Sequence, residues 1–181
     1  MIVLLTLILA NATPVLPLAV PVDVLADCRA SVNRLPFDDT PCLSLLANGE
    51  VQDQHALVHQ LLAVAYIEAR NNPAAEMQIG QALALAPDDW AVQANAGYVN
   101  LYLGRFSDAH RHLSQAMQAN PDFPLFLLLN RAVASQGLGR FEDAEQDVAL
   151  YKQYSQPEVV DCASGVTPCT PVPIVGPRRV Q

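Results

Sequence analysis

The chain has 181 residues, of which 51% are hydrophobic and 15% charged, a composition typical of a globular protein rather than a disordered one. Its formal net charge of −8 argues against a nucleic-acid partner, because neutralising phosphate groups requires a clustered surface of Lys and Arg. The ten basic residues of this sequence are scattered instead.

An uncharged apolar run opens the sequence and ends at Ala10-Asn11-Ala12, a small-x-small pattern similar to a signal-peptidase cleavage site. The run is too short to cross a bilayer, which takes about 20 residues. Residues 1–12 are therefore predicted to be a secretory signal peptide, although Lys or Arg before the run is missing; a buried N-terminal element is the alternative. This predicts an exported protein, periplasmic or secreted, with no membrane span once the signal is removed.

Residues 13–50 are predicted to be an extended leader followed by a loop-like segment with Cys28 and Cys42, because prolines at positions 14, 17 and 21 cannot continue a helix. A second cysteine pair, Cys162 and Cys169, lies in a Pro-rich tail over residues 158–181. An even number of cysteines in an exported chain implies disulfides. Among three possible connectivities we favour Cys28–Cys42 and Cys162–Cys169, each close in sequence. A zinc site is the rival, but the spacings do not fit one and no histidine is near.

The central part of the chain contains an internal repeat. Residues 103–109, Leu-Gly-Arg-Phe-Ser-Asp-Ala, return 35 positions later at 138–144 with one change, and an apolar stretch of helical period precedes each copy. Recurrence at this period indicates a helix-turn-helix unit that cannot bury its hydrophobic face alone and stacks on copies of itself. The glycine of the motif suits the left-handed turn that ends a helix.

In register with this motif, residues 51–157 resemble the tetratricopeptide repeat family, whose 34-residue unit has the pattern W-x2-L-G-x2-Y, then A-x3-F, then P. The units cover about residues 56–89, 90–124 and 125–159. Their matches to the pattern are Leu62, Ala63, Tyr66, Ala75, Ile79 and Pro87; Ala96, Gly97, Ala109, Leu113 and Pro121; and Leu128, Ala132, Ala144 and Val148. The resemblance implies an all-α fold, a right-handed superhelical stack of about three helix-turn-helix units with disulfide-bonded irregular N- and C-terminal segments.

The repeat pattern weakens at both ends. The first unit has Arg70 and Asn72 in place of the turn glycine and the aromatic residue, and the third has Gln156 where its closing proline belongs. Repeat arrays normally end with a solvating helix, which the Pro-rich tail does not supply. The seven uncharged residues 123–129 of the third unit therefore need a cover. We expect the folded-back tail to supply part of it, with a docked partner or second copy as the alternative.

In the family that the chain resembles, the first helix of each unit lines a concave groove that holds a peptide or helix of another protein. The resemblance implies that the partner-binding residues here are Gln60, Val64, Asn95, Tyr98, Tyr102, Phe126, Leu129 and Asn130, with Glu68 and Val133 at further groove positions. This mostly apolar, partly aromatic lining suits an apolar or amphipathic segment. The family's carboxylate clamp of Lys, Asn and Arg is absent, so a free C-terminal carboxylate would be a poor ligand. The alternative for any one of these residues is that it faces the core.

The sequence predicts a non-catalytic protein without a cofactor or a metal. It has no nucleophile motif and no Gly-rich phosphate loop. His55 and His59 lie on one face of a predicted helix, but no further ligand is placed to complete a metal site. We interpret the protein as an interaction scaffold or adaptor in the cell envelope. The alternative is a structural subunit of a homo- or hetero-oligomeric envelope assembly that docks through its apolar third unit.

Overall fold

The structure is a computed structural model that describes residues 25–34, 36–49 and 54–155. Eight α-helices lie within these residues: α1 (Ala26–Val32), α2 (Thr40–Asn48), α3 (His55–Glu68), α4 (Asn72–Leu85), α5 (Trp90–Tyr102), α6 (Phe106–Ala119), α7 (Phe126–Gly137) and α8 (Phe141–Ser155). Three successive hairpins, α3–α4, α5–α6 and α7–α8, stack on one another in chain order. The predicted all-α stack of three helix-turn-helix units is confirmed.

Two of the sequence predictions concern residues that the structure does not describe. The predicted signal peptide at residues 1–12 and the predicted Cys162–Cys169 disulfide in the tail both lie there. Among the helices that are described, none combines the length and the apolar character needed to cross a membrane.

The turn between the two helices of each unit depends on one residue in the left-handed backbone conformation. In the second and third units this residue is the glycine of the repeated motif, Gly104 with φ 70° and Gly139 with φ 74°. Glycine adopts this conformation without steric cost because it lacks a Cβ. The first unit has Arg70 there, with φ 62°, so its turn has the same shape but carries backbone strain. Asn71 then caps α4, since its side chain accepts a hydrogen bond from the backbone N–H of Ala74.

The two helices of the second unit approach each other closely at Gly97 of α5. A Cβ placed on Gly97 would lie 2.5 Å from Leu113 Cγ and 2.8 Å from Leu113 Cδ2, far inside contact distance. Leu113 of α6 is fully buried there. The equivalent residues of the first and third units, Ala63 and Ala132, are also buried, at 0% and 3% exposure. Small residues on the first helix thus set the helix separation within each unit.

A polar pair also joins the two helices of the first and second units. In the first unit His59 Nδ1 of α3 lies 2.6 Å from Gln78 Oε1 of α4. In the second unit the residue types exchange places, and His112 Nδ1 of α6 lies 2.7 Å from Gln93 Oε1 of α5. The partners are 19 residues apart in both pairs and hold equivalent positions. Because buried polar groups need hydrogen-bond partners, each pair favours one register between its two helices.

In the third unit an ion pair joins the two helices, and only its partner on the second helix holds the equivalent position. Arg131 of α7 donates two hydrogen bonds to Asp147 of α8, at 2.9 Å from Nε to Oδ2 and 2.6 Å from Nη2 to Oδ1. Asp147 is 3% exposed and holds the position of Gln78 and His112. A two-bond guanidinium–carboxylate pair is stronger and more directional than a neutral pair. Arg131 also lies near His110 of α6, whose pKa is lowered first by burial and then by the positive charge of Arg131. The ion pair of the third unit therefore adjoins the second unit.

The segment that holds Cys28 and Cys42 is helical, whereas the sequence predicts an extended leader and an irregular segment over residues 13–50. The predicted Cys28–Cys42 disulfide is confirmed, and it joins α1 to α2 with 4.6 Å between the Cα atoms. Pro41 was compatible with a helix because it occupies the first turn of α2, where its missing N–H has no helical partner to lose. Helices of 7 and 9 residues are too short to be stable alone, so the disulfide and packing on α3 hold them.

The disulfide-linked helices cover the N-terminal end of the stack. Leu25, Cys28 and Cys42 form a buried cluster with Val58 and Leu62 of α3. The stack therefore begins with a dedicated cover that is not itself a repeat unit.

Tyr66 of α3 connects this cover to the stack. Its hydroxyl donates a hydrogen bond to the carboxylate of Asp39, and its ring lies 5.3 Å from that of Phe37 in an edge-to-face arrangement. Burial, together with the hydrogen bond to Asp39 and the negative charge of that residue, raises the pKa of Tyr66 to about 12. The hydroxyl therefore stays protonated, and remains a donor, throughout the physiological pH range.

The strained turn of the first unit predicts a stabilising substitution. Arg70→Gly is expected to raise the free energy of unfolding by about 1 kcal/mol, because an L-residue in the left-handed conformation costs roughly 1–2 kcal/mol and glycine does not. Gly104→Ala is the matched control: its added Cβ has no atom within 4 Å, so it introduces the strain alone and should destabilise by a similar amount. Chemical denaturation with the disulfide intact measures both. Equal stability of Arg70→Gly and the parent would contradict the assignment of strain.

Because of the two histidines of α6, we expect the free energy of unfolding to decrease as the pH is lowered. Burial lowers the pKa of His112, with a further decrease from Arg111, and burial also lowers the pKa of His110, with further decreases from Arg131 and Arg140. Between the unfolded value near 6.5 and the lower folded values, the unfolded chain binds more protons, so stability is fully present above about pH 6.5 and declines below it.

Urea denaturation at pH 7.5 and pH 5.5 tests this prediction in a window above the titration of ordinary carboxylates. His110→Gln and His112→Gln should each reduce the loss of stability between the two pH values, and the double variant should reduce it more. A loss that is unchanged in the double variant would show that other groups cause it.

Candidate partner-binding surface

The first helices of the three units form one continuous face. Because each hairpin reverses the chain direction, α3, α5 and α7 run the same way, and α5 contacts both of the others. We call this surface the inner face and define it by nine side chains of these helices: Val64, Glu68, Asn95, Tyr98, Tyr102, Phe126, Leu129, Asn130 and Val133.

One predicted binding residue is buried and belongs to the packing between units. Gln60 of α3 is only 5% exposed, and its Oε1 accepts a hydrogen bond of 2.8 Å from Asn95 Nδ2 of α5. Asn95 is itself half-buried. The pair therefore fixes the register between α3 and α5, and Gln60 presents almost no surface to a partner.

The predicted residues Tyr98 and Tyr102 do come together, and they do so beside Glu68. The two rings lie 4.9 Å apart between centroids, tilted by 52°, and their phenol oxygens are 3.2 Å apart. The Tyr98 hydroxyl donates to Glu68 Oε1 at 3.2 Å. Since a hydroxyl carries one proton, Tyr102 must donate to Tyr98 when Tyr98 donates to Glu68. Burial, the bond to Tyr102 and the charge of Glu68 raise the pKa of Tyr98, so this phenol is neutral at physiological pH.

The α7 part of the inner face is apolar and open. Phe126 is 47% exposed and Val133 is 50% exposed, one at the start of the helix and one two turns later on the same side. Leu129 and Asn130 lie between them and are half-buried, as is Val64 of α3. With Tyr102, which is 60% exposed, these side chains give the inner face three large apolar or aromatic groups in contact with water. Such groups are what a partner of matching shape would cover.

A depression of about 520 Å³ adjoins the tyrosine pair. Ile67, Glu68, Arg70, Asn72 and Tyr102 line it, where the turn of the first unit meets the end of α5. Sequence reasoning did not assign Arg70 or Asn72 to the site, because the resembled family places its groove on the first helices and not on the turn. The loss of the turn glycine and aromatic residue at these two positions was the available signal.

The apolar stretch 123–129 is partly buried in the core. Leu127 and Leu128 are buried at 0% and 1% exposure, and Phe123 packs against the cluster that contains Leu113 and Leu127. Within this stretch only Phe126 is exposed. The long run is explained by the position of α7, which packs against α5, α6 and α8 and so needs more than one apolar side.

The two histidines of α3 do not form a metal site in the structure. His59 uses Nδ1 for the pair with Gln78, and no group of three or more His, Cys, Asp or Glu side chains converges within residues 25–34, 36–49 and 54–155. What the inner face offers chemically is apolar contact, two phenols, two amides and one carboxylate.

Comparison with known proteins bears on the fold. No protein-family model matches the chain, and no curated protein matches it. A solved structure titled "MamA AMB-1 P212121" is similar, with a TM-score of 0.51 and 16% sequence identity over 76% of this chain and 84% of that one. At this identity the likeness concerns the fold alone. With the three stacked hairpins, it shows a helical-repeat fold of the tetratricopeptide-repeat type.

Because Asn95 is hydrogen-bonded to the buried Gln60, we expect a substitution of Asn95 to lower the stability of the fold. Asn95→Ala leaves the buried Gln60 Oε1 without its donor, so it should reduce the free energy of unfolding by about 1–3 kcal/mol. Asn130→Ala, at the equivalent position of α7, is the control and should change stability little, because no hydrogen bond of its side chain is found among the described residues. Thermal unfolding of the two variants measures the difference. Equal melting temperatures would contradict a structural role for Asn95.

Proposed function

We propose that the protein is a non-catalytic scaffold or adaptor that binds an apolar or amphipathic segment of another protein along its inner face. The observation that carries this is the exposure of Tyr102, Phe126 and Val133 on one face of a stack of this fold type. Large exposed aromatic groups supply much of the binding energy in protein interfaces, since they bury area with little loss of side-chain freedom.

The charge of the inner face restricts the kinds of partner segment that it can bind. Among its nine side chains Glu68 is the only charged one. A ligand held mainly through its own carboxylate would need a cation there, and the inner face as defined contains none. The expected partner segment is therefore apolar or amphipathic, with no requirement for a free C-terminus.

We further propose that the protein acts in the cell envelope, periplasmic or secreted. The apolar run before Ala10-Asn11-Ala12 supports export, and so does the Cys28–Cys42 disulfide, because such bonds persist in oxidising compartments.

A second candidate function is a structural subunit of an oligomeric assembly, docked through the third unit. The observation that favours it is on α8, where Phe141 is 65% exposed and Tyr154 59%. The equivalent of Phe141 in the second unit, Phe106, packs its ring on Gly137 of the next unit, where an added Cβ would collide with it. An exposed Phe141 is thus a surface of the kind that elsewhere in this stack contacts another helix.

Site-specific photo-crosslinking in the producing cells distinguishes these functions. p-Benzoylphenylalanine at Val133 or Tyr102 of the inner face should give an adduct with another protein, whereas the same residue at Met77 of α4, which is 58% exposed, should not. Phe126→Ala should reduce the Val133 adduct and weaken binding about thirtyfold, because truncating a large aromatic anchor costs about 2 kcal/mol.

The same experiment uses Phe141 as a further crosslinking position to test the structural-subunit function. An adduct between two copies of the chain from Phe141, with none from the inner face, would replace the adaptor function with the structural one. Equal adducts from Val133 and Met77 would rule out the inner face as a specific binding site.

A further inference from the structure

We propose that Glu68, Tyr98 and Tyr102 form a binding site for the cationic side chain of an arginine or lysine in the partner segment. This inference rests on the proposed function, and it adds the chemistry of one partner residue to it. The site joins a carboxylate to two aromatic rings at the edge of the inner face, beside the depression between the turn of the first unit and α5.

The geometry suits a cation in two ways. The Tyr102 ring is 60% exposed beside that of Tyr98, with 4.9 Å between their centroids, and a guanidinium or ammonium over an aromatic face is attracted by the ring quadrupole. The carboxylate of Glu68 is exposed, and the Tyr98 hydroxyl occupies only its Oε1 side. A carboxylate has acceptor capacity for several donors, so it can also take hydrogen bonds from a guanidinium.

Two long hydrogen bonds connect Tyr102 to Tyr98 and Tyr98 to Glu68, and they favour one arrangement of the three groups before a ligand arrives. Each of these bonds spans 3.2 Å between its two oxygen atoms. A site whose groups are already ordered loses less conformational freedom on binding. The net charge of −8 adds a favourable long-range field for a basic segment.

Arg70 opposes this site. It lines the same depression as Glu68 and Tyr102, and within the described residues its guanidinium lies in no ion pair with a carboxylate. Its charge repels an incoming cation and competes for Glu68, although it is exposed and therefore screened by salt. Removing Arg70 should tighten the binding of a basic ligand, which a site for apolar residues would not show.

The first test uses a small probe on the full, disulfide-bonded chain. Ring signals of the five tyrosines are followed by NMR while N-acetyl-arginine amide is added, with N-acetyl-citrulline amide as the neutral isostere. The signals of Tyr98 and Tyr102 should shift with the arginine probe and not with the citrulline probe, while Tyr66, Tyr151 and Tyr154 report nonspecific effects. Equal responses to the two probes would overturn the proposal.

The second test selects peptides from a random displayed library on the immobilised full chain. Selected peptides should be enriched in Arg or Lys, and Glu68→Gln should weaken them about fivefold, the upper range for an exposed ion pair. Gln keeps an acceptor for the Tyr98 hydroxyl and removes only the charge. Glu142→Gln on α8, also an exposed carboxylate, is the matched control and should leave the affinity unchanged, whereas Arg70→Gly should increase it.

The two tests separate this inference from the proposed function. Selected peptides that bind the inner face without Arg or Lys, and that lose nothing in Glu68→Gln, would overturn the cation site and leave the scaffold function standing. If no peptide binds the inner face, the scaffold function fails, and the arginine titration alone decides the site. A specific response of Tyr98 and Tyr102 supports it, and no response overturns it.

Discussion

The close approach of the two helices within each unit is the constraint on which the rest of the structure depends. At Gly97 the second unit has no room for a Cβ beside Leu113, so the distance between α5 and α6 is set by contact. The pair of Gln93 and His112 adds a preferred register. Since α5 also contacts α3 and α7, its position on α6 determines how the first helices stand side by side. The inner face is therefore a product of packing behind it.

The two ends of the stack have different surfaces although the stack is built from a repeated unit. At the start, the helices joined by Cys28–Cys42 bury Leu25 and complete the stack with residues that follow no repeat pattern. At the other end the same motif gives opposite environments: Phe106 lies on the helix of the next unit, and Phe141 is exposed because no described helix follows α8. The sequence of a repeat thus does not determine its surface; its place in the array does.

Local signals made much of the fold predictable. The repeated motif located the turns at Gly104 and Gly139, and cysteines close in sequence located the first disulfide. The helices α1 and α2 were missed because elements of 7 and 9 residues depend on the disulfide and on α3, not on their own propensity. The burial of Gln60 was missed for a related reason. Its partner Asn95 lies 35 residues away, and the register between two helices cannot be predicted from the sequence of either helix alone.

The same register controls the chemistry of the inner face. Gln60 and Glu68 lie eight residues apart on α3, about 12 Å along the helix, and each is bonded to α5, through Asn95 and Tyr98 respectively. Both bonds cross one interface, so the carboxylate meets the phenol only when the first two units are correctly stacked. A ligand that engages both Glu68 and the tyrosines binds this stacked arrangement and no other, and by mass action it must stabilise the junction of the two units. At the proposed site, binding of a ligand and the integrity of the stack would therefore be linked, in a protein whose repeats otherwise contribute to stability through contacts between neighbours.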